Sequence, residues 1–298
     1  MMNKERYQNC RNRGKRAIQN GDFEKGEICF RECLDAARSL GDAGLMDLAL
    51  CNLSAALIEQ NRTTEPEIGQ LRLIYLRASD PKIIRLAAYN LARALELQKE
   101  FSKAYFYAKI ALEKSEQLKK KEYLASSHNQ LGNIHVCQSY FDQAVSSYER
   151  ALDLAADNTP VFRALVMDNL GYGHITLGRV DQGIQECREA LRILTEAGAR
   201  PGFLIYPHMD LCLGYLEMEA LDSAVRHGEE ALRIAEAQSR TDRIKNILLL
   251  LGETHAKRGD VSAAQTYYGE LATFFPEVRI AADFLMAFEL RKVVNFRL

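Results

Sequence analysis

Tryptophan is absent from this chain, and proline occurs six times in 298 residues. With so few prolines, long helices run uninterrupted. Pro81, Pro160, Pro201 and Pro276 fall where helix boundaries are expected. The longest apolar run, Ile247 to Leu251, is far too short to cross a bilayer, so no membrane association is expected. Charge of one sign is missing as well. The 39 basic and 40 acidic side chains leave a net charge of −1, which argues against a nucleic-acid reader with its basic stripe. The Lys119-Lys120-Lys121 run reads as a solvated turn. The seven cysteines are odd in number, lie inside predicted helices and lack the spacing of a disulfide framework. Near Met1 there is no charged-then-apolar leader. A reducing cytoplasm is the expected setting. No glycine-rich phosphate loop, HExxH, GxSxG or paired-carboxylate arrangement occurs, so neither catalysis nor a cofactor is expected.

What the chain does have is a period. Arg13, Leu53, Leu91, Leu131, Leu170, Leu211 and Leu251 form a column with steps of 40, 38, 40, 39, 41 and 40 residues. The following residue is small each time: Gly14, Ser54, Ala92, Gly132, Gly171, Cys212 and Gly252. Thirteen residues past the first column comes a second small column, Gly26, Ala104, Ala144, Gly183, Ala224 and Ala264, broken in the second copy by Pro66. A third reads Cys33, Leu73, Ala111, Ala151, Ala190, Ala231 and Leu271. Small residues at fixed points of two successive helices let backbones approach. Each helix pair then stacks on the next to hide its apolar face.

These columns resemble the tetratricopeptide repeat. Leu131-Gly132, Ala144, Tyr148 and Ala151 match that pattern, as do Leu251-Gly252, Ala264, Tyr268 and Pro276. The period near 40 exceeds the usual 34, like the extended repeats of kinesin light chains, cell-polarity adaptors and bacterial peptide-pheromone receptors. The resemblance implies an all-α, right-handed α-α superhelix of about seven helix pairs in one solenoid over 1–298. Repeats are expected near 7–43, 44–80, 82–121, 122–158, 160–199, 201–240 and 241–276. The second copy is degenerate, with Thr63-Thr64-Glu65-Pro66 read as an irregular connection. Residues 277–298 are expected to form a capping helix. That helix either covers the last repeat or offers Phe288, Val294 and Phe296 to a second copy of the chain as a homodimer.

The residue before the leucine column carries the functional expectation. It reads Asn12, Asn52, Asn90, Gln130, Asn169 and Asp210, until Leu250 breaks it. Asn is a mediocre helix former, so a recurring carboxamide needs a reason. It offers both a donor and an acceptor to an extended peptide backbone. The resemblance implies an asparagine ladder lining a concave groove, and the competing account has each Asn bracing a neighbouring helix. Beside it lie Arg11, Lys15, Tyr89, Arg93, Asn129, Asn133, Asp168 and Tyr172, a mixed surface suited to recognition. Lys15, Asn52 and Arg93 only echo the carboxylate clamp of this family. The basic first helix, with Lys4, Arg6, Arg11, Arg13, Lys15 and Arg16 against Glu5, reads as an exposed end or as a basic end of the groove. His135, His174 and His255 sit four residues past the leucine column and are expected to pack between the two helices of a repeat. Cys29 and Cys33 alone make a poor metal site, so no metal is expected. The expected function is a non-catalytic scaffold or adaptor that binds a protein or peptide segment. The alternatives are a peptide-responsive receptor controlling a separate effector and, more remotely, a helical-repeat nucleic-acid reader.

Overall fold

A computed structural model describes residues 2–19, 21–275 and 285–297 of the chain. Among them fourteen α-helices follow one another with no strand. They run in order as α1 (Met2–Gln19), α2 (Phe23–Leu40), α3 (Ala43–Glu59), α4 (Glu65–Arg77), α5 (Pro81–Leu97), α6 (Phe101–Leu118) and α7 (Lys121–Cys137). They continue as α8 (Phe141–Leu154), α9 (Pro160–Thr176), α10 (Val180–Glu196), α11 (Ile205–Glu217), α12 (Leu221–Ala237), α13 (Thr241–Arg258) and α14 (Val261–Thr273). Within each unit odd and even helices pair as the first and second helices of a repeat, the arrangement of a helical-repeat solenoid.

The turn inside each pair repeats with the same steps as the leucine column. Eight residues past it stands a residue with positive φ: Gly21, Asn61, Lys99, Ser139, Gly178, Glu219 and Gly259. The next N–H donates five residues back, for example Glu100 N to Leu95 O at 2.9 Å, Tyr140 N to His135 O at 2.8 Å and Asp260 N to His255 O at 2.9 Å. This is a left-handed helix stop that satisfies otherwise orphaned carbonyls. Four of the seven positions are not glycine, so this signal is only half visible in the residue types.

The small columns mark where backbones meet. A Cβ on Gly183 would lie 2.5 Å from the Gly171 carbonyl oxygen, so only glycine fits between α9 and α10. Ala104, Ala144, Ala224 and Ala264 are fully buried at the same column. The histidines bridge the two helices of their repeats. His174 Nδ1 lies 2.7 Å from Glu186, His255 stacks on Tyr267 at 5.3 Å, and His135 Nδ1 lies 3.4 Å from Ser147 Oγ.

Of the stretch expected as an irregular connection, Thr63 and Thr64 are non-helical while Glu65 and Pro66 open the short second helix α4. Thr64 caps α4, with Glu67 accepting from its backbone N–H at 3.1 Å, and Pro66 sits in the first turn, where no N–H is needed.

The chain divides into two compact units, Met1–Ile134 and His135–Leu298. The first holds three separate apolar clusters. Tyr7, Phe30 and Leu57 anchor one, Ile68, Leu71 and Leu91 another, and Leu95, Leu131 and Ile134 the third. In the second unit, one large cluster runs from Val136 to Leu271 and takes in Phe296, with a smaller one around Ala164, Ala190 and Leu194.

The C-terminal segment departs from the expected capping helix. Residues 276–284 lie outside the described residues, and so does Leu298. From 286 to 297 the chain forms turns around one 3-10 turn, Leu290–Lys292. Phe296, expected to cap or to dimerise, is 1% exposed within its own unit. Phe288 and Val293 remain exposed.

Candidate functional site

The first helices of the second unit present an acidic and aromatic face, and the C-terminal segment lies on it. Asp168 and Tyr172 come from α9, Tyr206, Asp210 and Glu217 from α11, and Arg243, Asn246 and Glu253 from α13. Helical spacing places Asp168 and Tyr172 one turn apart, as it does Tyr206 and Asp210. Arg297 Nη2 donates to Asp210 and, at 3.3 Å, to Asp168 Oδ2. Its guanidinium stacks on Tyr206 at 4.4 Å and on Tyr172 at 4.9 Å. Phe296 inserts into the apolar cluster. Its N–H donates to the Tyr172 hydroxyl at 3.2 Å, and its carbonyl accepts from Asn246 Nδ2 at 3.0 Å. Asn295 accepts from that hydroxyl at 3.2 Å and donates to the Val136 carbonyl at 2.7 Å.

A second anchor lies a few residues earlier. The Arg291 side chain is 2% exposed and pairs with Glu253, with Glu217 at 2.7 Å and with Glu289 at 2.9 Å, while its N–H reaches Glu253 Oε2 at 3.0 Å. A charge so deeply buried is tolerated only with such partners.

Burial pushes the Asp168 carboxyl up to about 6 against the opposing pull of Arg297. Burial likewise raises Asp210 well above its ordinary value. Two carboxylates facing one guanidinium in a dry site cannot both ionise freely, so the pair favours holding a proton. One oxygen of each, Asp168 Oδ1 and Asp210 Oδ1, is buried without a hydrogen-bond donor. Ligand atoms of Asp168, Asp210 and Cys187 lie within 4.8 Å of one another, a spacing that would suit a metal ion. Burial, then the charge of Asp168, raises the Cys187 thiol well above its ordinary value. The cation held here is the guanidinium of Arg297.

The site residues expected from the sequence divide between the units. Asp168, Tyr172 and Asp210 converge on this face, with Asn169 half-buried beside them on α9. In the first unit Asn90 is buried and donates through Nδ2 to the Cys51 carbonyl at 2.6 Å, tying α5 to α3. Gln130 does the same from α7 to the Tyr89 carbonyl at 2.9 Å. Asn12 and Lys15 are exposed on α1. Arg11, Asn52, Tyr89, Asn129 and Asn133 are half-buried. Arg93 is also half-buried and pairs with Glu59 at 2.8 Å.

Sequence reasoning missed Arg297, Asn295, Asn246 and Tyr206. Asn246 and Tyr206 occupy one position of the repeat, five residues before the leucine column, and a search for polar residues there would have found them.

Residues 127–161 match the family model of the tetratricopeptide repeat. The 43 kDa receptor-associated protein of the synapse from Tetronarce californica is 24% identical over 203 residues, 67% of this chain and 49% of that protein. The chain thus spans about half the length of the curated relative it matches. Among solved structures, a Rap protein complexed with Competence and Sporulation Factor superposes with a TM-score of 0.73 at 14% identity, covering 99% of this chain and 80% of the other. The apo form of the quorum sensor NprR from B. thuringiensis gives 0.69 at 12% identity, covering 98% and 79%. At these identities the likeness is one of fold.

Proposed function

We propose that this chain, a tetratricopeptide-repeat protein, is a protein-interaction scaffold that holds an extended peptide segment on the first-helix face of its second unit. One observation carries the reading. That face already grips a non-helical stretch of chain, pairing the backbone of Phe296 with side chains of Tyr172 and Asn246 and the charge of Arg297 with Asp168 and Asp210. Side-chain donors and acceptors aimed at a main chain are what a peptide site needs. A solved relative in fold, the Rap protein complexed with Competence and Sporulation Factor, supports binding of a second molecule by such a scaffold.

The carboxamide column divides in this proposal. Asn90 and Gln130 brace helices, and Asp210 serves the ligand together with Asp168 and Tyr172. The seven cysteines are all unbridged, which fits a reducing compartment, and we place the protein in the cytoplasm. Among the described residues no helix is long and apolar enough to cross a membrane.

The test is site-specific photocrosslinking in native extract. A photoreactive residue at Asn246 should trap protein segments, while one at exposed Glu229 on the second helix α12 should trap few. Equal trapping at both places would remove the reading.

A further inference from the structure

We propose that residues 295–297 are a displaceable ligand held in cis, and that the site they fill takes an extended peptide with an aromatic residue followed by arginine. This rests on the reading of the first-helix face as a peptide site and adds its ligand chemistry and its competitor.

With residues 295–297 seated, the site is dry and its carboxylates face a cation. Asp168 and Asp210 are 1% and 0% exposed, and buried carboxylates without a partner are costly. Tyr172 and Tyr206 present ring faces to the same spot, which favours the flat, stacking guanidinium over an ammonium. The preceding side chain enters an apolar hole, and Phe296 there is 1% exposed. Aromatic then arginine is therefore the pattern written into the face.

The cis segment fits that pattern imperfectly. Arg297 reaches both carboxylates through one nitrogen, Nη2, and leaves Asp168 Oδ1 and Asp210 Oδ1 buried without donors. A guanidinium approaching with its two-pronged edge would fill more of these positions. The segment also has a release point. Arg291 is locked by Glu253 and Glu217, and Asn295 to Arg297 are gripped separately, while Val293 between them is 79% exposed. Residues 295–297 can leave without unseating Arg291. A tethered ligand acts at high effective concentration, so an external peptide binds only to the fraction of molecules whose site is vacated.

The probe is a fluorescently labelled, end-capped peptide of sequence Lys-Val-Val-Asn-Phe-Arg, which repeats residues 292–297. Its binding is measured to the full chain and to the full chain carrying Asn295→Ala and Arg297→Ala together, which loosens the cis segment while leaving the apolar residue Phe296 unaltered. The double variant should bind roughly tenfold tighter or more than the unaltered chain. A peptide ending in alanine instead of arginine should lose that gain. Arg297→Lys, which keeps the charge, should fall between the two proteins and guards against misfolding of the double variant. Equal affinity for both proteins would overturn the competitor while leaving the peptide-site reading to the crosslinking result. No binding to either folded protein would overturn the aromatic-arginine chemistry. A concentration-dependent dimer of the unaltered chain that Arg297→Ala abolishes would show the segment seated in a second copy and overturn the cis arrangement.

Discussion

The two units repeat one helix pair yet use the polar residues of their first helices in opposite ways. In the first unit the buried donors Asn90, Gln130 and Arg85 turn inward. Asn90 and Gln130 donate to carbonyls of the preceding first helix, and buried Arg85 is met by neutral groups. Its partners are the hydroxyls of Ser115 at 3.1 Å and Ser126 at 2.7 Å and the ring of Tyr123 at 4.1 Å. In the second unit the first helices carry Asp168, Asp210, Glu217 and Glu253, and the balancing cations arrive on a non-helical segment, as Arg291 and Arg297. Within one repeat register, first-helix polar residues thus brace a neighbouring helix in one unit and meet another segment of the chain in the other.

The largest expected break in this comparison comes from Arg291. Arg291→Ala strands Glu253, whose side chain is 5% exposed, and should cost on the order of 3–5 kcal/mol in the second unit. Arg93→Ala in the first unit removes a pair whose side chains are 28% and 33% exposed, and should cost about 1 kcal/mol or less. Hydrogen exchange of α13 and α5 in the two variants reads each unit separately. Similar losses would mean that the second unit does not depend on its tail.

Protonation supplies the next contrast. Asp168 faces Asp210, Arg297, Cys187 and Tyr172, with Tyr206 and Arg243 nearby. Burial lifts its carboxyl from 3.8 to about 6. The folded site therefore holds this proton more tightly than the unfolded chain does. Its favourable contribution is complete below about pH 4 and is lost as pH rises through 6. Asp168→Asn removes that component. The stability of the natural chain relative to this variant should fall between pH 4 and 7, as measured by denaturant unfolding. A flat difference would place the carboxylate in water.

Packing gives a smaller separation. Gly183→Ala pushes its methyl against the Gly171 carbonyl, which cannot yield without moving α9, and should cost about 1–3 kcal/mol. Gly26→Ala, at the same column in the first unit, meets the end of the Ile18 side chain at 2.6 Å, which can rotate away, and should cost less. Asn90→Ala removes a buried side-chain hydrogen bond to the Cys51 carbonyl and should cost about 1–2 kcal/mol. Peptide binding by the second unit should not change.

These sites also show what was legible in the sequence. The leucine and small columns place the helix pairs, because each repeat solves the same close-packing problem with the same residue sizes. Asp168, Tyr172 and Asp210 share one face because the first helices share a register. The brace from Asn90 spans 39 residues, one period, so both accounts of the carboxamides agreed with the spacing, and only the direction of the side chain separates them. The tail was not legible. Arg297 meets Asp210 across 87 residues and Asp168 across 129, and its irregular backbone has no period to read. Ile280, Phe284, Leu285, Phe288 and Val293-Val294 fall at helical spacing and suggest a capping helix, because an apolar pattern reports burial without reporting what does the burying.

The smallest expected effect is one that the units share. Lys99 in the first and Ser139 in the second hold φ near 60° at the turn between paired helices. A side chain there crowds the following carbonyl, at about 1–2 kcal/mol, and glycine relieves it while gaining freedom in the unfolded chain. Lys99→Gly and Ser139→Gly should each stabilise the protein by about 0.5–1 kcal/mol net. The Ser139 hydroxyl lies 3.5 Å from Asn295 Nδ2, too far to subtract much. Thermal melts of the two variants should rise together and leave peptide affinity unchanged. A rise at Lys99 with a fall at Ser139 would mean that the tail leans on this turn, and the contrast between the units would then reach into the turns they now appear to have in common.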